Sequence, residues 1–386
     1  MNVADSDAVD SAARRAGKTK VSKKRKMIYD EWMESIGVPI YRGHHVEDLR
    51  RAELGWWEER QASAAFLSLE GMRGVSEARV MEIPPGKATK PLKLAVGELV
   101  YVLAGSGLVT VWSENGGPRQ TVEWGERSLF LLPRHHYHRI FNARGDRPVR
   151  LLHYNYLPVA MAAVPDPDFF FNNPYSGVSP LKPDDEFYAE AKEVKTDNED
   201  APSIGIYWTG NFFPDLGNWD RLAAFRDRGA GGSAVFMRFP DAQMGAHMSV
   251  FPPGLYKKGH RHGPGRVIVI PAGEGYSALW KKGGEKIVCP WQEATVFVPP
   301  EDWYHQHFNT GDVAARYLAL GPLPQFRGKG ETLADRAERQ IEYTEEDPWI
   351  RETFERELAK RGRKSLMPEE AYRNRDYRWS YGDEGD

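Results

Sequence analysis

Short apolar runs separated by glycine, proline, asparagine and aspartate dominate the middle of the chain. They are five to eight residues long and read "ELVYVLAG", "GLVTVW", "SLFLLP" and "VRLLHYNY", then "RVIVIPAG", "YSALW", "ATVFVPP" and "ARYLALG". Runs of this length with turn residues between them are typical of strands in a sandwich or small barrel. The pattern therefore predicts an all-β protein.

The apolar runs belong to an internal repeat. The segment 84–107 recurs at 252–275 with an offset of 168 residues, and "HRIFN" at 138–142 recurs as "HQHFN" at 305–309. Glycines 105 and 107 and Trp112 recur at the same offset of 168. A repeat of this length predicts two barrels of the same design in tandem.

Helices are predicted around the barrels. "YDEWMESIG" predicts one near the start, with Gly37 as its stop, and "NWDRLAAFRDRGAGG" a short one ended by Gly229. In "DPWIRETFERELAKRG", Asp347 is a predicted N-cap, Pro348 lies in the first turn and Gly362 follows the end. The predicted organisation is a disordered basic tail (1–27), a first barrel with a helical arm (28–164), a linker with helices (165–232), a second barrel (233–324) and a charged helical tail (325–386).

Composition excludes several classes of protein. A formal net charge of -3 gives no overall attraction to nucleic acid or to an anionic membrane, and no apolar run approaches the roughly 18 residues of a membrane span. The single cysteine, Cys289, excludes an intramolecular disulfide framework and suits a reducing compartment. We expect a cytoplasmic protein with neither a nucleic-acid nor a membrane partner.

The second repeat carries a histidine pattern that the first lacks. His260 and His262 are two residues apart, so on a strand both side chains face the same way, into the barrel. His305 follows in the matching position of the later strand. Three neutral imidazoles can hold a divalent metal and leave positions open for substrate or O₂. His247 and His307 are further candidate ligands or supporting residues.

At these residues the chain resembles the cupin superfamily. Gly254, His260, His262 and Gly273 match its first motif, and Pro300, His305 and Asn309 match its second. Because both repeats are covered, the chain resembles a bicupin, two jelly-roll barrels in one chain. Similar bicupins include gentisate- and salicylate-type ring-cleaving dioxygenases, although their iron is usually in the amino-terminal barrel. Cupins often dimerise, so the resemblance also implies a homo-oligomer.

Arg266 departs from the cupin pattern, which has a glutamate ligand there. A cation cannot ligate a metal and is costly beside one. Either Arg266 binds the carboxylate of an acidic substrate, or the "GPG" turn lets it point out of the barrel. The metal site would be three histidines in both cases. Arg266, Tyr304 and His307 are the candidate catalytic residues, and Lys257 and Lys258 are alternative partners for a carboxylate.

The first repeat has Glu98 and His138 at two ligand positions but Leu92 and Leu94 at the other two. Two ligands rarely retain a first-row metal, so we expect an apolar, structural interior. If Glu98 faces inward it needs a partner, and His138 is the expected one.

Three functions are compatible with these residues. The first is an iron-dependent dioxygenase that takes O₂ and a small aromatic hydroxy acid, since flat rings near the histidines (Tyr256, Trp303, Tyr304) suit a planar substrate. The second is another cupin reaction (decarboxylase, lyase or isomerase) with Mn²⁺, Ni²⁺ or Zn²⁺, and the third is a non-catalytic small-molecule binder. The aromatic pairs and triplets at 56–57 and 169–171 could cover a barrel mouth or pack between domains.

Overall fold

The two sequence repeats fold into two β-barrels that lie side by side and exchange edge strands. This computed structural model describes residues 26–178, 181, 187–196, 205–326 and 333–381. The predicted basic tail falls almost entirely outside the described residues. The strands of each barrel coincide with the apolar runs, and equivalent strands of the two repeats pair in the same order. The predicted all-β, two-barrel fold is confirmed.

The strands preceding and forming the first barrel are β1 (Ile40–Gly43), β2 (His45–Val46), β3 (Gly55–Trp57), β4 (Ala62–Leu69), β5 (Glu77–Ile83), β6 (Leu92–Lys93), β7 (Glu98–Ala104), β8 (Gly107–Trp112), β9 (Gln120–Trp124), β10 (Leu129–Leu132), β11 (Tyr137–Asn142) and β12 (Val149–Asn155). The linker contributes β13 (Lys192–Lys195), β14 (Ile206–Thr209), β15 (Phe212–Phe213) and β16 (Ala223–Ala224). The second barrel and the tail contribute β17 (Ser233–Arg238), β18 (Gly245–Phe251), β19 (Gly259–His260), β20 (Val267–Ala272), β21 (Gly275–Trp280), β22 (Ile287–Trp291), β23 (Val296–Phe297), β24 (Tyr304–Asn309), β25 (Ala315–Gly321) and β26 (Gln340–Ile341).

The α-helices lie outside the barrels: α1 (Ile28–Ser35), α2 (Leu157–Ala163), α3 (Pro167–Phe171), α4 (Leu333–Glu338) and α5 (Pro348–Ala359). Short 3₁₀ helices occur at Arg226–Arg228, Pro324–Phe326, Tyr343–Glu345 and Glu369–Tyr372. No helix in the described segments combines the length and the apolar character that crossing a membrane requires.

Each barrel consists of a large and a small sheet. In the first, the large sheet runs β1-β4-β5-β12-β7-β10-β15 with β3 on β4, and the small sheet runs β6-β11-β8-β9. In the second, the large sheet runs β13-β14-β17-β18-β25-β20-β23-β2 with β16 on β17, and the small sheet runs β22-β21-β24-β19-β26. The small sheet of the second barrel therefore brings β19 and β24, the strands that carry predicted ligands, into direct contact.

The barrels exchange strands at their edges. Strand β2 of the N-terminal arm pairs with β23 of the second barrel, and β15 of the linker pairs with β10 of the first. One apolar core, with members such as Leu99 and Leu131 from the first barrel and Val267 and Leu318 from the second, fills the space between the large sheets. Burial of so much apolar surface between the sheets holds the two barrels against each other.

The glycines that recur in both repeats are required by close backbone contacts. A Cβ atom on Gly107 would overlap the carbonyl oxygen of Phe141, and one on Gly275 would overlap that of Phe308. Both glycines begin the strand that runs beside the second-motif strand. Only glycine permits that approach, which explains why the position is the same in both copies.

The helix predictions are confirmed at both ends of the chain, and the linker contains the helix α3, but the helix predicted before Gly229 is wrong. Helix α5 begins after Asp347, whose carboxylate accepts a hydrogen bond from the Trp349 amide at 2.9 Å. Its buried residues Ile350, Phe354 and Leu358 pack on the second barrel. In the linker, the segment predicted as a helix before Gly229 instead forms β16 and a single 3₁₀ turn, because β16 pairs with β17 and tertiary pairing overrides local propensity.

The Glu346 carboxyl group is buried where the C-terminal tail meets strand β24. It forms hydrogen bonds with the Tyr256 hydroxyl at 2.8 Å and with the Gln306 Nε2 at 2.6 Å. Burial raises the pKa of Glu346 to about 8, although these hydrogen bonds oppose the shift. Between the ordinary value of 4.5 and about 8, the folded protein therefore binds more protons than the unfolded chain.

We expect Glu346 by itself to lower the free energy of unfolding as pH rises through that interval, by up to about 5 kcal/mol, while the buried histidines such as His305 act in the opposite direction below their ordinary pKa of 6.5. Glu346→Gln should therefore gain stability relative to the wild type as pH rises, by the same amount, since a neutral amide mimics the protonated acid and the buried histidines contribute equally to both proteins. Urea unfolding at pH 5 and pH 8.5 measures this. The matched control is Glu345→Gln, which alters an exposed carboxylate paired with Arg375. Equal pH slopes in wild type and Glu346→Gln would contradict the expectation.

Candidate metal centre

Two neighbouring strands of the second barrel bring His260, His262 and His305 together. His260 ends β19 and is paired directly with His305 on β24, while His262 follows two residues later on the same face. Ring centroids are 4.2 Å apart for His260 and His305 and 4.6 Å apart for His262 and His305. One ligand nitrogen from each lies within 4.8 Å of the others. Among the described residues, no other group of three or more histidine, cysteine, aspartate or glutamate side chains has its ligand atoms this close together.

Backbone carbonyls orient all three imidazoles. The Nδ1 atoms lie 3.3 Å from the Lys258 oxygen for His260, 2.7 Å from the Gly263 oxygen for His262, and 3.4 Å from the Trp303 oxygen for His305. A carbonyl can only accept, so each Nδ1 carries the proton and each Nε2 keeps a free lone pair. This is the arrangement in which histidines ligate metals.

The three imidazoles are neutral at physiological pH. Burial lowers the pKa of each one: to about 3 for His305 and well below the ordinary value for His260 and His262. The positive charges of Arg228 and Arg266 act in the same direction. Because metal ions bind neutral imidazole, the donor set fits a divalent cation such as Fe²⁺, Mn²⁺, Ni²⁺ or Zn²⁺.

The histidines form part of the wall of a cavity of about 690 Å³. No described residue of its wall is an aspartate or glutamate, whereas five are arginines: Arg228, Arg238, Arg261, Arg266 and Arg339. Phe225, Phe236 and Tyr317 supply flat apolar surface. A concave, cation-rich site with aromatic walls favours a small anion with a planar body.

Arg266 lies on the cavity wall, at the position matching Glu98 of the first barrel. Its Nη1 is 3.1 Å from the Nδ1 of His247, whose ring stacks on Phe236 at 5.3 Å between centroids. Of the two orientations that the sequence leaves open, the inward one is observed. At the position where the cupin pattern has a glutamate ligand, the second barrel therefore has a guanidinium, which attracts anions.

His307 also lines the cavity, two residues after His305 and on the same face of β24. Its Nδ1 forms a 2.8 Å hydrogen bond with the Ser277 hydroxyl, which also accepts from the Trp291 indole at 3.1 Å. Its ring centroid is 5.5 Å from that of His305. These contacts hold the imidazole of His307 in the cavity wall.

Tyr304 lies on the opposite face of β24. Its ring stacks on Trp280 with centroids 5.8 Å apart, and Arg261 lies over it at 5.2 Å. Because side chains alternate along a strand, the residue before His305 must point away from the cavity. A proton-transfer role for Tyr304 therefore has no geometric support.

The two lysines considered as carboxylate partners are engaged elsewhere. Lys257 is fully buried, and its amine contacts the Ser249 hydroxyl and lies 4.8 Å from the centre of the Phe225 ring. Lys258 pairs with Glu342 at 2.6 Å. Arg228 and Tyr317 are among the cavity residues that the sequence did not single out. Arg228 comes from the linker, where no local pattern indicates that it reaches the barrel.

The interior of the first barrel is not uniformly apolar, which corrects the expectation. Leu92 and Leu94 are buried as predicted, but Glu98 does not pair with His138. The Glu98 carboxylate accepts hydrogen bonds from Arg79 and Asn155 at 2.8 Å and contacts the His153 Nδ1 at 2.6 Å. These groups come from β12, which pairs with β7 in the large sheet, and from β5, the next strand beyond β12.

Comparisons with known proteins concern the fold. No family model and no curated protein matches the chain. Solved structures similar to it include a variant of Bacillus subtilis oxalate decarboxylase (14% identity, TM-score 0.46, 75% of this chain and 78% of that one). Another is Lactobacillus farciminis oxalate decarboxylase in complex with formate (16% identity, TM-score 0.47, 74% and 87%). A further structure of the Bacillus subtilis enzyme concerns its Mn(II) centres (15% identity, TM-score 0.46, 75% and 78%). Its own strand order shows two barrels of the same topology, each with one set of the motif positions, as the resemblance to bicupins implies.

Proposed function

We propose that the second barrel is the active site of a metal-dependent enzyme, with His260, His262 and His305 as the ligands. The observation that carries this proposal is the convergence of three neutral imidazoles within 4.8 Å in a cavity without a described carboxylate. A structural role explains them poorly, because buried imidazoles without a metal lose hydration and gain little in return.

The reaction that we propose is oxidation of a small aromatic hydroxy acid by O₂, with Fe²⁺ as the metal. The iron would supply open coordination positions and redox electrons. Arg266 binds the substrate carboxylate, and Phe225, Phe236 and Tyr317 pack against the ring and exclude water. His307, held through Ser277, is placed to accept a proton from a substrate hydroxyl.

The proposed function is tested on protein purified anaerobically without added metal. We expect about one equivalent of iron per chain by elemental analysis, and O₂ consumption with salicylate- or gentisate-like acids that His262→Ala abolishes. Oxalate belongs in the same panel, because CO₂ release from it without O₂ consumption would assign a decarboxylation instead, with manganese as the expected metal. Substoichiometric metal and no turnover would favour a binding protein.

Arg266→Gln is expected to raise the KM for a carboxylate substrate about 10- to 100-fold with metal content unchanged. The reason is loss of a charge-assisted hydrogen bond, which contributes roughly 1.5–3 kcal/mol. Steady-state kinetics with the acid and with its neutral amide measures the effect, and the amide should be insensitive to the substitution. Arg119→Gln, on the first barrel over Trp112, is the control. A KM increase shared by acid and amide would indicate distortion rather than lost recognition.

A further inference from the structure

A second cavity lies at the mouth of the first barrel. Its volume is about 790 Å³, and its wall includes Trp32 from α1, Trp57 from β3 and Phe171 from α3. The Trp32 and Phe171 rings stack with centroids 4.6 Å apart. No described wall residue is shared with the cavity that holds the three histidines. The two cavities are therefore separate sites.

Arg60 is the unusual residue of this wall. It is only 9% exposed, and its guanidinium carbon lies 4.7 Å from the centre of the Trp57 ring and 4.8 Å from that of Phe171. Its Nε is buried and has no hydrogen-bond partner within the described segments. Burial lowers the pKa of Arg60 to about 10, and nearby Arg79 adds to this, yet the group stays charged at neutral pH.

The carboxylates near Arg60 are already committed or exposed. Glu77 is bonded to Arg79, and Glu98 is bonded to Arg79, His153 and Asn155 inside the barrel. Glu59 lies on the rim of the same cavity and is exposed. It attracts Arg60 electrostatically, but the described contacts include no ion pair between them.

The other charged groups of the wall have their own partners. Lys93 contacts Glu114 and the Tyr175 carbonyl oxygen, and Lys90 is 3.4 Å from the Glu58 carbonyl oxygen. Asp168 is bonded to Asn172. Arg60 is thus a buried cation that forms no ion pair with any described residue of the wall. A buried charge without a partner destabilises the protein unless a bound anion compensates it.

The chemistry of the ligand follows from how Arg60 is held. Aromatic rings near the guanidinium favour the cation and leave its edge N–H groups for hydrogen bonding. That edge matches the two oxygens of a carboxylate. Trp32 and Phe171 add flat apolar surface that suits a planar body. We propose that the mouth of the first barrel is a metal-independent binding site for a small planar carboxylate, with Arg60 as the anion clamp.

Isothermal titration calorimetry with benzoate tests this site on the full chain. The reference protein is the Arg266→Gln variant. Carboxylate binding in its second barrel is weakened and therefore contributes little to the measured heat. We expect benzoate to bind this reference with one site per chain, and benzamide to bind at least about 10-fold more weakly because it lacks the charge. Adding a chelator should leave the binding unchanged.

The decisive variant is Arg60→Met in the same background, which should abolish benzoate binding. Arg60→Lys keeps the positive charge but loses the paired N–H donors of the guanidinium. This variant should still bind benzoate, about 10-fold more weakly. Circular dichroism and thermal melting confirm that each variant is folded. Binding that is unchanged in Arg60→Met, or absent in the reference protein, would overturn the proposal. Failure of the proposed function would be separate, since it would appear as absent metal or turnover in the second barrel.

Discussion

His305→Ala is expected to reduce bound metal from about one equivalent per chain to below about 0.1 equivalent. Removing one of three ligands leaves two, which rarely retain a first-row metal, and binding weakens by several orders of magnitude. His305 is the central ligand by geometry, because its ring lies within 4.6 Å of both others. The protein is purified anaerobically, incubated with Fe²⁺ and desalted. Elemental analysis then measures the metal that remains bound.

The first barrel provides the matched control. His138 occupies the position of His305 there, is buried, and has its pKa lowered to about 3 by burial. His138→Ala should leave the metal content at about one equivalent, whatever its effect on stability. Equal metal loss in the two variants would mean that the effect comes from altered folding, and retention of metal by His305→Ala would exclude the proposed ligand set.

Arg79→Met is expected to lower the free energy of unfolding by about 3–5 kcal/mol. Arg79 is 2% exposed and bonded to both Glu77 and Glu98 inside the first barrel. Burial alone would raise the pKa of Glu98, but Arg79 and then His153 lower it well below its ordinary value. Methionine fills the volume and leaves the carboxylates without their cation, so they must be protonated or exposed to water.

Urea unfolding at pH 7 measures this loss. Arg144→Met is the control, because Arg144 pairs with Asp146 on the surface of the same barrel, where such pairs contribute about 0–1 kcal/mol. Adding Glu98→Leu to Arg79→Met should recover part of the stability, since it removes one of the carboxylates that lost their partner. If both arginine variants lose the same amount, the buried network does not stabilise the barrel.

The features that the sequence predicts correctly depend on patterns within short segments. Strand runs bounded by turn residues identified both barrels, and the Asp347 N-cap with Pro348 located α5. The histidine spacing brought out His260 and His262 because strand periodicity alone puts them on one face. His305 is predicted from its place in the second motif of the cupin resemblance, and the pairing of β19 with β24 places it opposite His260.

Long-range contacts account for what the sequence did not predict. Arg228 reaches the cavity from the linker, and β26 of the tail pairs with the ligand strand β19. The Glu98 partners lie on β5 and β12, which become its neighbours only through the strand order of the sheet. A residue pattern within one segment contains no information about such pairings. The sequence predicts His138 as the partner of Glu98 only because both residues occupy ligand positions of the first repeat.

The exchange of β2 and β15 has a consequence for how the two halves can diverge. Each half completes the other's sheet: the arm before the first barrel covers an edge of the second, and the linker covers an edge of the first. Either half produced alone would expose a bare strand edge and the apolar surface between the sheets, and would aggregate. Loss of the ligand histidines from one half leaves these pairings in place, because the ligand positions lie outside the paired strands, whereas deletion of a half removes a strand that the other half needs.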